Sequence, residues 1–405
     1  MDYSVKNIYG KITRPKASVC VPGSKSITAR ALLISALADG ISTLYGAQFS
    51  DDCATFLDAI KALGIKAEVN GETVTVFGCG GRIPVSQGEI YVGSAGTAAR
   101  FLCALAAFSE GEFILRSSEQ MKSRPQKPLI DALEQAGAEF TFLEKDYCFP
   151  FKIKGTRAIA DEITVNVEKS SQYLSAILMC AVCAGKRVTV KPQGSHGMDY
   201  VKMTLDMMWS FGVSVDESEG AYIVCGGYTA KKYDVEPDVS AACYFYAMNR
   251  ILGTDISVRA VSPHTLQGDY KFIELIKNFD GGEVDMSAFS DQALTLAAIA
   301  PFFTEPTVIK GIAHVRGQEC DRIKAACENL TALGVPVEER EDGFTVYPAK
   351  PHKADVNTFG DHRVAMSFAL VGLRTEGVVI KDAEVCSKTF TRYFDVLDEL
   401  ITKLI

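Results

Sequence analysis

Six short polar clusters in this chain each stand directly before a strongly apolar, helix-like run: Lys25-Ser26, Gly96-Thr97, Ser170-Ser171-Gln172, Asp238 with Ser240, Asp291, and Asp361-His362-Arg363. The first turn of a helix presents unpaired N–H groups and the positive end of its dipole, so such places attract anions. Ser, Thr and Asp at these positions are also ordinary N-caps, accepting from the N–H groups of the turn that follows. The Lys, Arg and Gln mixed among them are what caps alone do not need, and six such starts together suit the recognition of phosphates and carboxylates. The PGSKS segment at residues 22–26 does not complete a nucleotide-binding P-loop, because Ser24 stands between Gly23 and Lys25 where a P-loop has Gly directly before its Lys.

The elements that must position these clusters follow a recurring plan. Apolar runs begin near Ala31, Phe101, Tyr173, Ala241, Leu294 and Val364, each with helical periodicity, a Gly or Pro/Thr stop, and then a short β-branched strand. Between them lie second helices that also end at a strand: FLDAIKALGIKAEV, LIDALEQAGAEF, LDMMWSFGVSV, IELIKNFDGGEV and IKAACENLTALGVPV, with FDVLDELITKLI closing the chain. A repeat of roughly 50–75 residues that alternates helix and strand is too long for a solenoid unit and points to an α/β or α+β architecture. Six units divide most simply into two domains of three, each with its most apolar helices at the centre, since one sheet holding every strand would be unusually large.

Bulk properties set limits on partners. The chain has 405 residues, 47% hydrophobic and 23% charged, enough for more than one core. Its net charge of −8 argues against a nucleic acid or an anionic membrane as partner, so an anionic substrate must be held by locally placed Lys and Arg. The first residues, MDYSVKNIYGKITRP, lack a signal-peptide core, and apolar runs such as residues 294–303 are too short to span a bilayer, which reads as an unexported, cytoplasmic protein. Twelve cysteines are scattered without metal-type spacing; the close pair Cys180 and Cys183, in LMCAVCAG, has the apolar flanks of a buried helix rather than a redox site.

The segments PGSKSITARALL, GSAGTAARFL, SRPQKPLIDAL, EKSSQYLSAILM, PDVSAACYF, SDQALTLAA, RGQECDRIKA, FGDHRVAM and SKTFTRYF, in this order along nearly the whole chain, resemble the motif series of the 5-enolpyruvylshikimate-3-phosphate (EPSP) synthase family. The resemblance implies an α/β (α+β) fold of two similar domains, each of three βαβαββ repeats with buried parallel helices, an inside-out α/β barrel. It also implies that the chain crosses between domains twice, giving one domain from residues 1–18 plus 238–405 and another from 19–237, with the active site in the cleft between them and closure on substrate.

The activity so implied moves the enolpyruvyl group of phosphoenolpyruvate to the 5-hydroxyl of shikimate 3-phosphate. That hydroxyl adds to C2 while C3 gains a proton; phosphate then leaves as C3 loses a proton. An acid, a base and charge stabilisation are needed, without metal or cofactor. The two substrates together carry a charge on the order of −5 to −6. Carried over position by position, Lys25, Gly96, Arg124, Gln172, Arg322, Arg363 and Lys388 surround phosphoenolpyruvate, arginine matching its carboxylate with a planar fork. Lys25, Ser26, Arg30, Ser170, Ser171, Gln172, Asp291, His314 and Gln318 fall on the shikimate 3-phosphate side. Asp291 becomes the base for the 5-hydroxyl, Glu319 the carrier of the C3 proton with Lys25 sharing that role, and Asp361 and His362 groups that cap a helix and orient Arg363. A monomer acting on small molecules is expected.

Four positions depart from the family pattern, and most touch the acceptor. Gln318 stands where a lysine is usual, Gly197 where many members have serine, His314 where many have asparagine, and Ser94 where asparagine is common. Ser195, His196 or Lys191 would then complete the acceptor's phosphate pocket. Two other readings stay open: transfer to another acceptor such as a UDP-sugar, although the catalytic-loop cysteine of that subfamily has no match in residues 121–125, and an inactive protein that keeps only the donor site.

Overall fold

A computed structural model describes residues 1–124 and 126–405. The chain forms two compact units, Gly23–Glu236, and Met1–Pro22 with Pro237–Ile405. The first boundary falls four residues beyond the expected 18, because strand Lys16–Val19 pairs in parallel with Asp255–Val258 and the Pro22 carbonyl accepts from Asp238 N–H at 2.8 Å.

In the Gly23–Glu236 unit the inner helices are Lys25–Leu37, Gly96–Ala107 and Gln172–Cys180. From Ile27 to Leu37, and throughout Gly96–Ala107, every residue is buried, as a helix apolar on all sides must be. Outer helices are two-faced: Asp51–Ala62 buries Phe56, Leu57 and Ile60, and carries Asp51 and Asp52 at its N-terminus and Lys61 at its end, each sign where the helix dipole favours it. Cys180 and Cys183 lie wholly buried at the end of the third inner helix, and burial pushes the Cys183 thiol up to about 12.

Three four-stranded sheets surround these helices among the described residues. In each, a parallel pair is completed by an antiparallel hairpin, and in two of them an inner helix crosses between the parallel strands, as where Gly96–Ala107 links Gln87–Tyr91 to the parallel Gly111–Arg116, which pairs with Phe151–Gly155 and that with Glu139–Phe142. The first repeat takes its parallel strand from the far end of the unit: Lys232–Asp234 lies beside Ile41–Tyr45.

The other unit repeats the plan in trimmed form. Gly282–Asp285, Thr307–Lys310, Gly343–Val346 and Val337–Arg340 make a complete four-stranded sheet. The N-terminal strand Tyr3–Ser4 is antiparallel to Val378–Ile380, itself parallel to Ala354–Val356, and Lys16–Val19 with Asp255–Val258 forms a two-stranded sheet. Inner helices Val239–Leu252, Ala293–Ile299 and His362–Gly372 pack pairwise against one another. Among the described residues no helix is long and apolar enough to cross a membrane.

The turn into the first inner helix depends on one glycine. A Cβ at Gly23 would lie 1.9 Å from the Gly46 carbonyl oxygen, a backbone atom that cannot rotate away. Gly23→Ala should therefore lower the chemical-denaturation midpoint by the equivalent of about 2 kcal/mol or more; an unchanged midpoint in equilibrium unfolding would show that the 22–26 turn has room to spare.

Candidate active site

Within the Gly23–Glu236 unit, Ser24 caps the first inner helix, its Oγ accepting from Ile27 N–H at 3.4 Å. That fixes Lys25 in the first turn, where its ammonium lies 3.4 Å from the buried Asp52 carboxylate. One helical turn on, Arg30 turns inward. Its guanidinium is 1% exposed and donates to Thr204 Oγ1 (2.8 Å), to the Ser26 (2.9 Å) and Tyr200 (3.3 Å) carbonyls, and to Ser175 Oγ (3.5 Å), over the Phe101 ring. Burial lowers its proton affinity to about 10, so Arg30 is a cation at neutral pH among neutral hydrogen-bond partners.

Gly96, Arg124 and Gln172 converge in this unit. A Cβ on Gly96 would stand 3.4 Å from both Arg124 terminal nitrogens and from Gln172 Oε1, so the bare glycine lets two polar side chains and a helix N-terminus share one place. Arg100, one turn into the same helix, is almost fully buried and donates to the Gly96 carbonyl at 3.2 Å and to Met121 Sδ at 3.4 Å. Ser170 Oγ accepts from Gln172 N–H at 3.3 Å, at the start of the third inner helix. Ser171 occupies the space that a side chain at 197 would need: Gly197 has φ +67°, and its Cβ would lie 2.6 Å from Ser171 Oγ. The 194–197 loop is thus shaped for glycine, with Ser195 and His196 between two left-handed glycines. Lys191 sits on strand Val188–Gln193, half-exposed, with its ammonium 2.8 Å from Glu162.

The second unit gathers charge around Arg322, the first residue of helix Arg322–Ala332, whose start is capped by Asp321. Arg322 Nε meets Asp361 Oδ2 at 2.7 Å and Nη2 meets Asp361 Oδ1 at 3.4 Å; Nη2 also reaches Glu319 at 3.1 Å, and Nη1 reaches Asp291 at 3.1 Å and the Gln318 side-chain oxygen. Burial opposes the Arg322 charge, but Asp361, Glu319 and Asp291 outweigh it and hold its proton affinity above the usual arginine value. Arg363 Nη2 takes the other Asp291 oxygen at 2.8 Å, and Lys388 lies 3.9 Å from Glu319. Asp361, fully buried, also accepts from Arg363 N–H at 2.8 Å and so caps the third inner helix, with the His362 ring 3.6 Å from its carboxylate. His314 Nε2 shares a 2.8 Å hydrogen bond with Ser290 Oγ, beside Asp291 in sequence.

Sequence reasoning missed Asp52 and Arg100, and it missed a buried carboxylate, Asp269, that Ser240 and Gln292 both reach. Asp52 and Asp269 stand at helix starts as many caps do, and Arg100 is one charge in an apolar run, so nothing in their spacing marked them out. The residues expected to act together in the second unit, Asp291, Gln318, Glu319, Arg322, Arg363 and Lys388, form one contact network.

The fold has known counterparts. An EPSP synthase structure from Acinetobacter baumannii superposes with a TM-score of 0.80 over 98% of both chains at 22% identity, which defines the fold as the two-domain EPSP synthase type. The sequence profile of EPSP synthase (3-phosphoshikimate 1-carboxyvinyltransferase) matches residues 10–397. A 3-phosphoshikimate 1-carboxyvinyltransferase 2 from Halalkalibacterium halodurans is 39% identical, covering 96% of this chain and 92% of the relative. A 3-phosphoshikimate 1-carboxyvinyltransferase from Trichormus variabilis is 37% identical, covering 95% and 96%. The chain belongs to the EPSP synthase family.

Proposed function

We propose that the protein transfers the enolpyruvyl group of phosphoenolpyruvate to the 5-hydroxyl of shikimate 3-phosphate, releasing phosphate, in the shikimate pathway to the aromatic amino acids. Full-length membership of the family carries this conclusion, and the charge cluster around Arg322 supports it chemically.

In that cluster Arg322, Arg363 and Lys388 are matched by Asp291, Glu319 and Asp361. Asp361 is fully buried and bidentate, so it stays with Arg322. Asp291 is more exposed, and an anionic donor entering between the arginines takes over their outward N–H groups. A carboxylate released from two cations binds protons more strongly, so donor binding turns Asp291 from an ion-pair partner into a base for the 5-hydroxyl. Glu319, between Arg322 and Lys388, passes the proton on and off C3, with Lys25 able to share that work. Arg124, Gln172 and the Gly96 backbone, which converge within the Gly23–Glu236 unit, contact the donor as well. Ser26, Ser170, Ser171, His314 and Gln318 hold the acceptor, while the buried Arg30 lends positive potential beside Ser26. Both substrates are small anions, and the net charge of −8 argues against nucleic-acid or anionic-membrane partners.

Addition and elimination through a tetrahedral intermediate fit these groups. Phosphate release from phosphoenolpyruvate, measured with shikimate 3-phosphate and with a UDP-sugar in turn, should appear only with the first acceptor. Asp291→Asn should slow that release by about 10²- to 10⁴-fold while changing substrate binding little. Release only with the UDP-sugar, or near-normal turnover in a folded Asp291→Asn, would contradict the assignment.

Gln318 accepts from Arg322, which a lysine could not do. Gln318→Lys would remove that acceptor and set a second cation beside Arg322. Shikimate 3-phosphate affinity should therefore stay level or fall, with little salt dependence, by titration at low and moderate ionic strength. A large, salt-sensitive gain would show instead that the pocket simply lacks a cation.

A further inference from the structure

Behind Asp291 runs a chain of buried hydrogen bonds with no part in the chemistry described so far. Asp269, 4% exposed, accepts at Oδ2 from Ser240 Oγ and from Gln292 Nε2, the latter at 3.0 Å. Gln292 Oε1 accepts from Thr295 Oγ1 at 3.0 Å, and Thr295 Oγ1 lies 3.2 Å from Ser367 Oγ. Gln292, Thr295 and Ser367 are fully buried. The five side chains tie the starts of Val239–Leu252 and Ala293–Ile299 to the middle of His362–Gly372, the helices that present Asp238, Asp291 and Arg363. The loop that carries Asp269 is itself fixed, since Gln267 accepts from Val239 N–H at 2.9 Å and donates to the Pro237 carbonyl at 2.8 Å.

A carboxyl group is a costly choice here. Among the described residues no cation donates to Asp269, and an amide could close the same hydrogen bonds without burying a charge. The groups that face it are Asp291 from the turn Ser290–Gln292, Arg363 from the third inner helix, and Ser240 and Cys243 from the first, the Cys243 thiol donating to the Asp269 carbonyl. Burial and then Asp291 raise the Asp269 carboxyl to about 6, while Arg363, Ser240 and Gln292 pull it down.

We propose that Asp269 is a positioning residue for enolpyruvyl transfer: through Gln292 it fixes the turn that carries Asp291, and through its own charge it tunes how readily Asp291 takes the acceptor's proton. This assignment rests on Asp291 acting as the base. Gln292 is the covalent neighbour of Asp291 in a three-residue turn, so a hydrogen bond that locks Gln292 also limits where the Asp291 carboxylate can point.

Phosphate release as a function of pH tests it, with Asp269→Asn, Gln292→Met and Asp291→Asn measured beside the wild type. Asp269→Asn keeps the shape and removes the charge. With the donor bound and Asp291 released from the arginines, Asp291 loses a neighbour that is negative above about pH 6 and its proton affinity falls there, so the acid-side midpoint of kcat should move to lower pH by about half a unit or more, with KM values nearly unchanged. Gln292→Met keeps the charge and cuts the hydrogen bond, and should lower kcat about 10- to 100-fold. Should Asp269→Asn fail to fold, Ser240→Ala strips a hydrogen bond from the carboxylate, keeps it protonated to higher pH, and must move the midpoint in the same direction. An unmoved midpoint, or an unchanged kcat in Gln292→Met, would reduce Asp269 to a helix tie and overturn the proposal. Near-normal turnover in Asp291→Asn would instead reject Asp291 as the base, a separate failure.

Discussion

Arg322 and Asp361 meet through two guanidinium nitrogens and both carboxylate oxygens, with Asp361 wholly buried and Arg322 nearly so. Taking two opposite charges out of water is repaid only when geometry is good and the remaining donors and acceptors are satisfied. Here they are: the same carboxylate accepts from the Arg363 backbone N–H, and the rest of the Arg322 fork is taken by Glu319, Asp291 and Gln318. One buried aspartate thus aims one arginine with its side chain and anchors the helix turn that carries another. Replacing it would break a buried ion pair by removing one partner, which typically costs about 3–5 kcal/mol.

Arg322 and Arg30 are compensated differently. Around Arg322 the positive groups are matched by carboxylates, so an anionic ligand must compete with them, and its gain is limited while its orientation is sharp. Arg30 is surrounded by hydroxyls and carbonyls, which solvate its charge without cancelling it and leave its field available to a nearby anion. The first arrangement suits a site that must release a carboxylate as a base when its ligand arrives; the second suits steady attraction.

Much of this was legible in the sequence because it is local. A run such as residues 27–37, with a hydrogen-bonding Ser before it, encodes both its burial and its start, and the six polar clusters do lie at or beside the starts of inner helices. What was not legible depends on partners distant in the chain. Lys232–Asp234 pairs with Ile41–Tyr45, and Tyr3–Ser4 with Val378–Ile380, without any periodicity to announce it. Asp52 is an acidic residue in a first helical turn until the fold sets it against Lys25. Gly197 looked like a lost serine, whereas its left-handed backbone and the closeness of Ser171 require a residue without a side chain. Gln318 looked like a lost charge, and its oxygen proves to be bound to Arg322.

If geometry at Arg322 matters more than charge count, the sharpest measurement is calorimetric titration of phosphoenolpyruvate into the wild type and a folded Asp361→Asn variant. The substitution removes one negative charge beside three cationic side chains, so Coulomb attraction alone would tighten donor binding. A guanidinium no longer held in place should instead bind the donor more weakly, by about tenfold or more, since an aimed, charge-assisted hydrogen bond is lost. Weaker binding is the predicted result; tighter or unchanged binding would contradict the role given to the Arg322–Asp361 pair.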